Sequence, residues 1–401
     1  MRKMHVVLAS LFFVVMAGCQ DDMKTETVAQ PVSEIQAAPP APPARPSDAE
    51  LHAYKAYHHA RYMVQTADAV GGTNKLLHTK SLPTEGTDAV VSPALDHIYS
   101  KAVIDLTEGP VTVDIPEGID DRYWSIHVTD QEHYTIYDEV HPVGKYTFVR
   151  KGKDIQVPEG ATVIECQEDY PHLFIRIQVK TEDELDNISA IQEMISLEGV
   201  SKPLAIDNYI VFTLATHDIH EPNKGILDTV KDFNEEDYNR VTQYLGAVAP
   251  SFPDTSGMFG PIDSQEAGSD NPAIRAAAIF GHLGLPAMHA IYIPHFTNCQ
   301  QQRLSGDNVE VFSFAYEPEG VKDFWSVTRY SLLTRNTISG KNDVFNAYNT
   351  TPDGDGNITI TFSAEDPKDG TYWMPVNNGD PYYFIARYYN ADLGNLPKTC
   401  K

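Results

Sequence analysis

Phe324-Trp325-Ser326-Val327-Thr328-Arg329-Tyr330 alternates in part between apolar and polar residues and is dense in aromatic and β-branched side chains. Such a run fits a pleated strand with one buried face. Around it, Val309–Tyr316, Ile358–Phe362 and Tyr382–Tyr389 read the same way. A second group of strands is expected at Ala102–Leu106, Val111–Ile115, Tyr123–Val128, Tyr146–Val149 and Leu173–Val179. Gly109-Pro110, Pro116-Glu117-Gly118, Pro142-Val143-Gly144 and Pro158-Glu159-Gly160 punctuate them. Short strands with regular turn signals argue for an antiparallel sandwich or barrel. The expected fold is mainly β with an α-helical insert: two antiparallel, jelly-roll-like β-sandwiches joined by helices.

Between the strand blocks, Glu182–Ser196 places Leu185, Ile188, Ile191, Met194 and Ile195 at helical spacing, behind an acidic first turn. Asn234–Gly246 and Ala273–Gly281 are further helix candidates, and residues 247–273 read as a loop. Upstream, Ser47 or Asp48 caps a helix over Glu50–Thr66. No internal repeat is found at a short fixed period. The organisation expected is residues 1–18 as a signal, 19–47 as a spacer, 48–180 as a helix plus the first β domain, 181–285 as a helical connection, and 286–401 as the second β domain.

The chain starts with Arg2 and Lys3, followed by an apolar run over Val6–Met16 broken by Ser10. That run is shorter than the roughly 20 apolar residues a spanning helix needs, and its flanks fit a secretory signal. Met16-Ala17-Gly18-Cys19 resembles the lipobox of bacterial lipoproteins. The resemblance implies cleavage before Cys19, acylation of Cys19, and membrane lipid as a partner. Gln20, where an Asp would favour retention in the inner membrane, points to the outer membrane facing the periplasm. Buried acyl methylenes contribute about 0.8 kcal/mol each. The Pro/Ala-rich run Ala37–Pro46 cannot bury a core and suits a spacer.

The 401 residues carry a formal net charge of −26, which argues against nucleic acid as a partner. The oligomeric state is not legible. Of the four cysteines, Cys19 is the lipidation site, and Cys166, Cys299 and Cys400 remain. The compartment permits a Cys299–Cys400 disulfide, but no spacing demands it.

Residues 96–180 are similar to domain of unknown function 1254. The similarity rests on Ile98-Tyr99-Ser100-Lys101-Ala102-Val103-Ile104-Asp105-Leu106, Gly109-Pro110, Asp121-Arg122-Tyr123-Trp124-Ser125-Ile126 and Asp130. Residues 322–390 are similar to domain of unknown function 1214, through Phe324-Trp325-Ser326-Val327, Asp353-Gly354-Asp355-Gly356, Tyr372-Trp373-Met374-Pro375 and Arg387-Tyr388-Tyr389. The resemblance implies a β-sandwich for each block and no settled activity. An Asn/Asp/Thr cluster that commonly precedes the first family's motif tyrosine is reduced here to Asp96, in Ala94-Leu95-Asp96-His97-Ile98.

Three activities remain open: a small polar or aromatic ligand bound between the β domains, a hydrolase or lyase acting on a small organic compound, and an envelope interaction module. Arg122 and Asp130, with Tyr134 nearby, have the chemistry to fix an anionic or polyol ligand; a structural ion pair is the bland alternative. Trp325 and Arg329 share a strand face and suit stacking on a ring, with core packing as the commoner role. Trp373 and Arg387 belong to the same block. These give Arg122, Asp130, Trp325 and Arg329 as ligand-binding candidates, and Asp130 and His127 as candidate general bases. His217, Asp218 and His220, and separately His282, His289 and His295, lack metal-ligand spacing. Asp353–Asn357 lacks the EF-hand glycine and glutamate and reads as a turn. There is no GxSxG, Walker, GxGxxG or HExxH motif. No cofactor or metal is expected.

Overall fold

The computed structural model describes residues 43–84, 91–119, 121–153, 155–205, 233–261, 271–281, 284–338 and 343–397. Cys19, Cys400, His217, Asp218, His220 and His282 lie outside the described residues.

Ser47 starts helix α1 (Asp48–Ala69) through a capping box, in which the Glu50 N–H donates to Ser47 Oγ and the Ser47 N–H donates to the Glu50 carboxylate. The first sandwich contains β1 (Leu77–His78), β2 (His97–Val103), β3 (Val111–Ile115), β4 (Trp124–Thr129), β5 (Thr135–Val140), β6 (Gly144–Arg150), β7 (Thr162–Cys166), β8 (His172–Gln178) and β9 (Ser196–Glu198), with α2 (Leu185–Gln192) before β9. Its sheets run β1-β2-β8-β4-β5 and β7-β6-β3-β9. Ile98, Ile126, Val128, Phe148, Ile175 and Ile177 fill the space between them. Complete burial of such a side chain contributes about 1.5–3 kcal/mol.

The second sandwich contains β10 (Ala290–His295), β11 (Glu310–Ala315), β12 (Trp325–Ser331), β13 (Val344–Asn346), β14 (Asn357–Ser363), β15 (Tyr372–Pro375) and β16 (Tyr382–Tyr389), in sheets β10-β16-β12-β13 and β11-β14-β15. Its core includes Trp325, Val327, Phe312, Ile360, Phe362 and Phe384. The two sandwiches have one topology. Strands β2 to β8 correspond in order and pairing to β10 to β16, down to the parallel pairs β6–β7 and β14–β15. Those parallel pairs depart from the all-antiparallel expectation.

Between the sandwiches come α3 (Glu235–Val248), capped by Asn234, and α4 (Pro272–Gly281). Both pack on α1 through Leu51, Tyr54, Val241, Leu245, Ala276 and Phe280. The helix expected over Glu182–Ser196 is shorter. A turn of 3-10 helix over Glu182–Glu184 leads into α2, which stops at Gln192. The backbone of β9 then pairs with β3 and forms the edge of that sheet, and Met194 is left exposed.

The expected strand over Phe324–Tyr330 forms, but β12 is buried on both faces. So are β4, β8 and β16. Alternation assigns Trp325 and Val327 to the sandwich core and Ser326, Thr328 and Tyr330 to the opposite face. That face meets the corresponding face of the first sandwich: Ser326 Oγ donates to Asp96 Oδ2, and Tyr330 OH donates to Pro93 O at 2.6 Å.

Candidate functional site

Where the two outer faces meet, with α3, α4 and the segment after α3 closing one side, lies a cavity of about 220 Å³. Phe252, Met258, Phe259, Phe280, Phe296 and Leu332 make much of its wall apolar. The charged side chains lining it are Lys101, Arg176, Arg335 and Arg387 against Asp254. A positive pocket in a chain of net charge −26 is a local reversal of sign.

Strand register places the central groups. In the first sandwich, Arg176 on β8 lies between Tyr99 on β2 and Ser125 on β4. In the second, Arg387 on β16 lies between Tyr292 on β10 and Ser326 on β12. The two Tyr–Arg–Ser triads hold corresponding positions in the duplicated topology. The local sequences agree as well, with Tyr123-Trp124-Ser125-Ile126 corresponding to Phe324-Trp325-Ser326-Val327.

Arg387 is 3% exposed. Its Nη2 donates to Ser92 O at 2.8 Å and to Tyr330 OH at 2.9 Å. Its Nε and Nη1 have no hydrogen-bond partner among the described residues. Burial alone would lower its pKa, but Tyr330, Tyr389 and Asp96 more than offset this and keep the guanidinium charged.

Asp96 and His97 form a dyad at the start of β2. The His97 Nδ1–H donates to Asp96 Oδ1 at 2.6 Å. Asp96 also accepts from Ser326, and from Tyr389 OH at 3.4 Å. Burial pushes the Asp96 carboxyl up, yet His97, Arg387 and Ser326 overcome it and bring the pKa down to about 2. The carboxylate therefore stays ionised. The His97 ring lines the cavity among Tyr99, Tyr123, Phe324 and Tyr389, and its Nε2 has no partner among the described residues.

Residues 73–199 match the family described as "Protein of unknown function (DUF1254)", and residues 289–393 match "Protein of unknown function (DUF1214)". The chain carries the two domains in tandem. The VPA0106 protein of Vibrio parahaemolyticus has a similar solved structure, with a TM-score of 0.63 and 22% identity over 88% of this chain and 98% of that one. An uncharacterized protein from Burkholderia cenocepacia is similar at a TM-score of 0.50 and 13% identity, over 87% of this chain and 86% of that one. Both likenesses concern the fold alone. No curated protein matches.

The DUF1254 domain supplies Asp96, His97, Tyr99 and Arg176 to the site, and the DUF1214 domain supplies Tyr292, Arg387 and Tyr389. Of the residues singled out from sequence, Arg122, Asp130, Trp325 and Arg329 do not line this cavity and are not brought together. Arg122 pairs with Asp121 and Glu184, both at 3.0 Å. Asp130 accepts from the Glu132 and Tyr134 N–H groups and so shapes the β4–β5 turn. Trp325 packs in the second core and donates to Tyr316 O at 2.7 Å. Arg329 pairs with Asp343 at 3.0 Å and donates to Pro375 O and Ile338 O. The cavity lining comes instead from other residues of the same two blocks. Lone Arg and Trp picks miss the site because alternation turns Trp325 toward the core and its neighbour Ser326 toward the partner domain.

His127 lies on the cavity-side face of β4, where Thr135 Oγ1 is 3.0 Å from its Nε2. Burial, then Arg176 and His289, hold its pKa well below the ordinary histidine value. His289 pairs with Asp138, and His295 stacks on Phe384 at 4.5 Å. Asp353 accepts from the Asp355 and Asn357 N–H groups, which makes the expected turn, and Gly356 takes a φ of +76° there. Cys299 is disulfide-bonded and Cys166 is a buried free thiol. Among the described residues no group of three or more His, Cys, Asp or Glu is placed to hold a metal.

Proposed function

We propose that this protein is a lipid-anchored envelope protein that binds a small organic anion with an aromatic or apolar body between its two β-sandwiches. The observation that carries the reading is Arg387: a buried, charged guanidinium with two nitrogens lacking hydrogen-bond partners among the described residues, in a cavity that joins further cations to an extensive apolar wall. Buried guanidinium N–H groups left without acceptors cost about 1–3 kcal/mol each, and an anionic oxygen accepting from Nε or from Nη1 would offset that cost. The aromatic wall would cover the body of the ligand, and burial between domains suits a small-molecule site.

Calorimetric titration with benzoate, phenylacetate and octanoate tests this on wild type and Arg387→Gln. Binding that weakens at least tenfold in the variant is expected. No binding by any of the three, or equal binding by both proteins, overturns the reading. The anchor is supported by Met16-Ala17-Gly18-Cys19. Cys19→Ser is expected to move the protein from the membrane fraction to the soluble fraction, and continued membrane association would refute anchoring at Cys19.

A further inference from the structure

We infer that His97 is the catalytic general base of this cavity, with Asp96 as its positioning residue, so that the protein is an enzyme that takes a proton from the anion it binds. The inference deepens the ligand reading and rests on it for the location of the substrate.

The geometry is specific. Asp96 occupies Nδ1 with a 2.6 Å bond, which in the neutral ring leaves the lone pair on Nε2. His97 is 1% exposed and is one of the residues lining the cavity, and its buried Nε2 has no partner among the described residues. Asp96 is itself fixed by Ser326 and Tyr389 of the second domain, so the dyad has its final form only when the two sandwiches are packed. A buried imidazole with one nitrogen tied to a carboxylate and the other bare matches the oriented base of general acid–base catalysis. Arg387 shares the cavity and would hold the anionic group.

The step balances without a co-reactant. A substrate C–H bond next to a carbonyl breaks, an N–H bond forms at Nε2, and the electron pair stays on the substrate as an enolate. Asp96 balances the imidazolium charge. Return of the proton, or a deuteron from solvent, regenerates neutral His97.

Phenylpyruvate is a suitable probe because it has an aryl body, a carboxylate and an acidic benzylic C–H. Its binding is measured by calorimetry, and its benzylic exchange in deuterium oxide by proton NMR. The expected result is catalysed exchange in wild type, lost by about 100-fold or more in His97→Gln, with binding retained. In Asp96→Asn the exchange falls and its pH profile shifts to lower pH, a change that loss of packing alone would not give. Binding with equal exchange in wild type and His97→Gln overturns this inference and leaves the ligand reading standing. If phenylpyruvate does not bind, alkylation by the neutral reagent phenacyl bromide decides, since it needs only a bare Nε2 facing the cavity. A single adduct on His97, absent in His97→Gln and slowed in Asp96→Asn, supports the base. Labelling that does not select His97 overturns it.

Discussion

Lowering the pH from 7 to 5 should weaken this fold, because of histidines buried under α1. His59 on α1 is fully buried. Its ring lies 4.9 Å from that of His133 and 6.4 Å from that of His172. Burial, then the neighbouring His58, brings the His59 pKa down to about 3, with Glu132 acting weakly in the other direction. The folded state therefore keeps His59 neutral, while the unfolded chain takes up a proton near pH 6.5. Stability from this group is complete above about pH 6.5 and falls as pH drops from there toward 3. Linkage puts the loss at about 2 kcal/mol between pH 7 and pH 5 for this one residue. His127, His133 and His172 are also held well below the ordinary value, mainly by burial, and act in the same direction. Set against a total stability of about 5–15 kcal/mol, the effect is large. Urea unfolding followed by circular dichroism at half-unit pH steps measures it. His59→Gln should flatten the slope by about one proton. A folding free energy that changes by less than about 1 kcal/mol between pH 7 and pH 5 would refute the argument.

The buried pair Lys55–Glu132, at 3.0 Å, gives a second test: Lys55→Met strands a carboxylate and should cost about 3–5 kcal/mol in urea unfolding, with much of it recovered by adding Glu132→Leu. Gly284 has no room for a side chain, since a Cβ there would come within 2.1 Å of the Phe259 ring. Gly284→Ala should therefore shift Phe259 in the cavity wall, cost about 1–3 kcal/mol and reduce benzoate affinity by calorimetry. Trp325→Ala should cost about 3–5 kcal/mol, as a core truncation does, and an unchanged melting temperature would contradict its core role. Below pH 4, the stability contributed by Asp96 should fall progressively toward pH 2, the sign expected of a carboxyl depressed in the folded state, which acid titration of Asp96→Asn against wild type would reveal.

Much of this architecture was legible in the strand pattern. Val111–Ile115 and Tyr382–Tyr389 form strands as read, most others shift slightly at their ends, and the strand expected at Ala102–Leu106 lies at His97–Val103, sharing only Ala102 and Val103 with it. Strands β1, β5, β7, β10, β13 and β15 escape the pattern, and β9 begins at Ser196, where the expected helix ends. Two of them, β7 and β15, are held by parallel pairing to a neighbour rather than by strong local preference. The site was legible only as a neighbourhood. The quoted family blocks contain Asp96, Tyr99, Ser326, Arg387 and Tyr389, but single-sequence reading has no means of telling which face of a doubly buried strand meets the other domain. The short Asp96-His97 pair carried a usable signal: a carboxylate beside an imidazole, left where a polar cluster was reduced. The Tyr-Trp-Ser-Ile and Phe-Trp-Ser-Val segments lie about 200 residues apart, far beyond the period of a solenoid repeat, so the duplication emerges only from topology.

The duplication bears on how a substrate is oriented. Two corresponding Tyr–Arg–Ser triads form a near-symmetric cradle that, taken alone, would accept a molecule either way round. The register that aligns Tyr99 with Tyr292 also aligns His97 with Ala290. His97 lines the cavity and Ala290 does not, so only one of the two corresponding positions presents an imidazole there. If the cavity holds a substrate as proposed, only a pose with its acidic hydrogen toward His97 would bring that hydrogen to a base. A difference at one pair of corresponding positions gives the cavity a side with an imidazole and a side without one.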